Sequence, residues 1–76
     1  MTWGATDEGT LRVAYAVGRR CGGAVVRNRI RRRLRSIVRE IDLVPGDYLV
    51  GAGPEAAVLP YDELRRSVVA AVDAVT

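Results

Sequence analysis

The chain has 76 residues, 49% apolar and 28% charged, which allows one small domain burying about 60% or slightly more of its unfolded surface and leaves no room for a two-domain enzyme. With no histidine and a single cysteine, Cys21, the usual zinc sets, the Ser/His and Cys/His nucleophile pairs and an internal disulfide framework are excluded. The formal charge of +3 averages unlike blocks: residues 12–39 hold ten arginines and no acid, while residues 40–76 set seven acids against Arg65 and Arg66.

In chain order, Met1-Thr2-Trp3 reads as the end of a strand, paired with the following one through a turn at Asp7-Glu8-Gly9. Residues 11–17 alternate with period two, placing Leu11, Val13, Tyr15 and Val17 on one face and Arg12, Ala14 and Ala16 on the other, which predicts a strand. Gly18 and Gly22-Gly23 bracket Arg19, Arg20 and Cys21 in a loop. Cys21 reads as a small residue filling that turn.

From Ala24 to Ile41 the period becomes helical. At 100° per residue Val26, Ile37, Ile30, Ile41, Leu34 and Val38 share an arc of about 120°, and Arg31, Arg35, Arg39, Arg32, Arg29 and Arg33 occupy most of the remainder. Arg27 projects inside the apolar arc, so it is expected to belong to the loop entering the helix. Pro45-Gly46 ends this unit, residues 48–52 form a second strand stopped by Gly53-Pro54, and Pro60 opens a helix. That last helix carries Leu64, Val68, Ala71, Val72 and Val75 on one face. The order predicts an α+β protein with helices covering a small sheet.

Seven like charges between Arg27 and Arg39 repel one another at adjacent turns, so solvation alone explains them poorly. An interfacial membrane helix would want a dense aromatic or Leu-rich face, and the apolar arc here is short and β-branched. No apolar run approaches the roughly 20 residues of a membrane span, and the start lacks a secretory layout, so the expected location is cytoplasmic. Nucleic acid fits the arginines best: guanidinium groups on a rigid helix neutralise phosphates bidentately, and the glycine loop lets backbone N–H groups approach them. Arginine around most of the exposed circumference favours folded RNA over a DNA groove. The nine carboxylates show no spacing that singles out an acid/base pair or a metal site, which argues against an independent nuclease.

The run Leu11-Arg12-Val13-Ala14-Tyr15-Ala16-Val17-Gly18-Arg19-Arg20-Cys21-Gly22-Gly23-Ala24-Val25-Val26-Arg27-Asn28-Arg29, continuing to Arg35, resembles the protein subunit of bacterial ribonuclease P. The likeness extends loosely through Asp47-Tyr48-Leu49-Val50 and Tyr61-Asp62-Glu63-Leu64. It implies a ribosomal protein S5 domain 2-like fold with a left-handed crossover around the arginine motif. It also implies an RNA-binding subunit that assists a catalytic RNA in removing the 5′ leader of precursor tRNA. By position, Arg19, Arg20, Arg27, Asn28, Arg29, Arg31, Arg32 and Arg35 would bind the RNA, with Arg12 and Tyr15 as a possible leader face. The implied partners are ribonuclease P RNA and precursor tRNA, with no membrane and no obligatory protein partner. Mg2+ would serve the RNA subunit rather than a protein site, and no residue of this chain would be catalytic.

Several departures stand against that pattern. Gly23 stands where the family usually has Asn, Gly18 where it often has Ser, and Gly53-Pro54-Glu55 where it often has basic residues. The family's opening helix and its next strand or two have no counterpart, so residues 1–76 are expected to be a single, N-terminally truncated RNA-binding domain with weakened leader binding. The alternative is a stand-alone arginine-rich RNA- or DNA-binding module, such as a small ribosomal-type protein.

Overall fold

The computed structural model describes residues 1–6 and 9–76; Asp7 and Glu8 of the expected turn lie outside the described residues. The elements are β1 (Thr2–Gly4), β2 (Leu11–Ala16), α1 (Ala24–Glu40), β3 (Gly46–Gly51) and α2 (Tyr61–Val75), with short 3-10 turns at Arg19–Cys21 and Pro54–Ala57. This is the α+β arrangement expected from the sequence.

The three strands lie in the order β1-β3-β2. β2 and β3 run parallel, from Leu11 opposite Gly46 to Ala16 opposite Gly51. A parallel pair needs a long crossover, and α1 supplies it. β1 does not form the expected hairpin with β2. It pairs antiparallel with β3, Trp3 opposite Tyr48, because β3 takes the central position that a hairpin would have left to β2.

β3 alternates between buried and exposed residues along its whole length, with Tyr48 and Val50 inward and Asp47 and Leu49 outward. It therefore starts two residues earlier than its apolar run. Both helices lie on the inward face, and Ile30, Leu34 and Ile37 of α1 are the largest fully buried side chains. Around them gather Val17, Cys21, Val50, Ala56, Leu64 and Val68, so both helices, β3 and the two short turns share one core.

Gly46 shows why this strand begins with glycine. Its φ is +152°, and a Cβ there would run into the Trp3 indole nitrogen and stand 2.8 Å from the Gly4 carbonyl oxygen. The bare backbone lets β1 close over the start of β3. Gly46→Ala is expected to push Trp3 outward and cost about 1–3 kcal/mol, the usual range for overpacking. Trp3 is the only tryptophan, so its emission should shift to longer wavelength while the urea midpoint falls. An unchanged emission maximum and midpoint would refute this packing.

Candidate functional site

The basic segment forms two adjoining pieces. Residues Arg19–Cys21 make one 3-10 turn with Arg19 and Arg20 exposed and Cys21 buried. The Cys21 thiol donates to the Ala52 carbonyl oxygen at 3.3 Å, which is the turn-filling role expected of it. At Gly22, with φ +129°, a Cβ would stand 3.1 Å from the Val26 side chain, and Gly23 caps α1 without a side chain. No acid occupies the first turn of α1, so the positive end of its dipole stands beside the arginine turn uncompensated.

On α1 the apolar arc is buried as the periodicity requires, and the opposite face is open. A shallow recess on that face is lined by Val25, Asn28, Arg31, Arg32 and Arg35. Asn28 accepts a hydrogen bond from Arg31 Nη1 at 3.2 Å through its Oδ1, which turns the amide NH2 donors of Asn28 outward. Val25 is 82% exposed beside these polar groups; nothing in the sequence periodicity marked it. Arg29 is also exposed but lies outside the recess.

Arg27 differs from its expected place. It lies within α1, donating its backbone N–H to Gly23 at 3.0 Å, and is partly buried with Nε lacking a partner. Its angle in the apolar arc reflected real burial, and helical hydrogen bonding has already begun at Arg27.

Arg12 and Tyr15 do not form one surface, because residues three apart on a strand face opposite ways. Arg12 stands on the open sheet face, gripping Asp47 through Nε at 2.7 Å and Nη2 at 3.1 Å. The hydrogen bond to Asp47 and then its charge raise the Arg12 pKa. Tyr15 lies on the helix side against the core. Arg35 is poised over its ring at 5.7 Å from the centroid, a cation–π geometry. Burial raises the Tyr15 pKa against the opposing charges of Arg35 and Arg39.

Arg33 is likewise not displayed. It lies at the edge of the apolar arc, about 20° from Val26 on the helical wheel, and turns inward. Its Nη1 donates to Ala56 O at 2.6 Å and its Nη2 to Leu59 O.

Among the described residues the ion pairs are Arg12–Asp47, Arg65–Glu40 at 3.1 Å and Arg66–Asp62 at 3.4 Å. Glu40, the one acid of α1, is therefore engaged by α2, and it also accepts from the Tyr61 hydroxyl at 2.8 Å. Arg19, Arg20, Arg27, Arg29, Arg31, Arg32 and Arg35 have no carboxylate partner among the described residues. No group of three or more potential metal ligands occurs among them either, and no helix is long and apolar enough to cross a membrane.

These features define a small α+β protein with a mixed sheet, inward apolar helix faces and an unneutralised arginine surface. The chain belongs to the Ribonuclease P family, whose model matches residues 1–76. It is 47% identical over 62 residues to the Ribonuclease P protein component of Thermus thermophilus, matching 82% of this chain and 38% of that protein. With the Thermobifida fusca component it shares 44% identity over 68 residues, 86% of this chain and 46% of the other. The chain thus spans less than half the length of these relatives. Its fold is similar to the solved structure of Staphylococcus aureus RNase P protein, with a TM-score of 0.76 at 23% identity over 92% of this chain and 67% of that one.

Proposed function

We propose that the chain is an RNA-binding subunit of ribonuclease P, docking on the catalytic RNA and assisting removal of the 5′ leader from precursor tRNA. The observation that carries this is the α1 recess: Asn28, Arg31, Arg32 and Arg35 converge there without carboxylate partners, in a chain matched by the family from end to end. Phosphates neutralise the guanidinium charge, while the outward amide of Asn28 and the exposed Val25 suit a ribose or base edge between them. Arg19 and Arg20 extend the surface along the adjoining turn, with Arg27 and Arg29 flanking it. Mg2+ belongs to the RNA in this reading. The chain's own contribution to hydrolysis is binding and charge neutralisation.

Precursor tRNA would meet the open sheet face. Arg12, Ala14 and Leu49 stand there beside a shallow recess that reaches Thr2 and Trp3, whereas Tyr15 is on the other side.

Reconstitution tests the proposal. The chain mixed with a bacterial ribonuclease P RNA at low Mg2+ should stimulate cleavage of precursor tRNA, and should not cleave it alone. Tight RNA binding without stimulation would favour the stand-alone module. Arg29→Ala and Arg32→Ala should each flatten the salt dependence of RNA binding by about 0.7–0.9 of a logarithmic unit per lost phosphate contact. Unchanged slopes would move those residues off the interface.

A further inference from the structure

The 3-10 turn Pro54–Ala57 packs against both basic pieces, α1 and the turn Arg19–Cys21, which also touch each other. Each piece also holds the surrounding segment 52–59 by a side chain. From α1, Arg33 donates to the carbonyl oxygens of Ala56 and Leu59. From the basic turn, Cys21 donates to the Ala52 carbonyl oxygen at 3.3 Å.

We propose that Arg33 is a positioning residue: by gripping segment 52–59 it fixes the spacing between the arginine turn at 19–20 and the arginine face of α1. In this arrangement Arg33 itself does not touch RNA. Its two terminal nitrogens are already committed to backbone carbonyls, and one of these, on Ala56, belongs to a residue only 3% exposed. Charge-assisted bonds of this kind are short and directional, and a planar fork is needed to span two acceptors. If the fork is lost, segment 52–59 is free to shift. Cys21 is tethered to that segment and lies next to Arg20 in the same single turn, so Arg19 and Arg20 shift with it. Two phosphate-binding groups that were presented at a fixed separation then have to be ordered at the moment of binding.

The inference rests on the RNA-binding proposal, and a mutant cycle separates the two. The full chain would be titrated against a bacterial ribonuclease P RNA transcript by filter binding as wild type, Arg33→Met, Arg19→Ala/Arg20→Ala, and the three substitutions combined. Arg33→Met should weaken binding about fivefold or more while circular dichroism shows a folded chain. In the combined variant it should add little to the loss from Arg19→Ala/Arg20→Ala, because residues acting through one another are non-additive. Additive losses would overturn the inference, since they mean that Arg33 contacts RNA or merely stabilises the whole fold. Unchanged affinity in Arg33→Met would overturn it as well. Should Arg33→Met fail to fold, Arg33→Lys serves in the same cycle: its single ammonium reaches one carbonyl, and an intermediate, again non-additive loss is expected. A wild-type chain that does not bind the transcript would instead sink the RNA-binding proposal itself.

Discussion

Ile37→Ala should strip the chain of a large share of its folding stability in the absence of RNA. Ile37 is 0% exposed, one turn beyond Leu34 near the C-terminal end of α1, in the cluster to which α2 and β3 also contribute. Truncating a fully buried Ile costs about 2–5 kcal/mol, because the lost transfer energy is joined by the cavity left behind. A 76-residue domain has a total of about 4–11 kcal/mol to lose. The core is a single cluster, so no second one compensates. Val25→Ala on the opposite side of the same helix, where the side chain is 82% exposed, should change stability by no more than about 0.5 kcal/mol. Urea titrations followed by circular dichroism compare the two. A loss below about 1 kcal/mol for Ile37→Ala would mean that α1 is not seated as described. RNA should rescue the variant partly, since a ligand present at about 100 times its dissociation constant adds about 2.7 kcal/mol to the folded state.

That contrast between two faces of one helix was largely legible in the sequence, because a 3.6-residue period assigns burial without knowing the partner. Ile30, Leu34 and Ile37 were identified from spacing alone, and the strand at residues 11–17 from its alternation. What spacing could not supply was pairing. Met1-Thr2-Trp3 looked like half of a hairpin because local turns are the nearest source of partners, yet the strand there pairs with β3, more than forty residues away. Tyr15 was legible in part: its alternation already grouped it with Val13 and Val17, and only the resemblance suggested a surface role. Arg33 was harder. An arginine at the margin of an apolar arc turns inward only if backbone carbonyls wait for it, and those belong to a turn after β3 whose position no local pattern encodes.

The same facts explain how a self-repelling helix is tolerated. α1 is anchored on its apolar side by the core, at its C-terminal end by Glu40 with Tyr61 and Arg65 of α2, and at its middle by Arg33. The charges that remain unpaired are gathered toward the face of the recess and the adjoining turn. Holding them there on a rigid scaffold means that little ordering is left to be done when a polyanion arrives.

Removing the centre of that face should therefore separate binding from stability. In Arg31→Ala/Arg32→Ala/Arg35→Ala the salt dependence of RNA binding should flatten by about 2–2.7 logarithmic units, on three phosphate contacts at about 0.7–0.9 each. The folded state should not suffer. The substitutions abolish the like-charge neighbours 27–31, 31–35, 35–39, 29–32 and 32–35, each worth about 0.2–0.5 kcal/mol of repulsion at low salt. Against this stands the loss of the Arg35–Tyr15 contact, about 0.5–1 kcal/mol for an exposed cation–π pair. Alanine is also at least as favourable as arginine within a helix. The balance is a stability unchanged or raised by up to about 2 kcal/mol, with the gain shrinking as salt screens the repulsion. Urea unfolding at low and high salt, beside filter binding to ribonuclease P RNA over the same salts, measures both quantities. A triple variant that binds with the wild-type slope would remove this face from the interface, and one that unfolds more readily than wild type would show that these arginines hold the fold together.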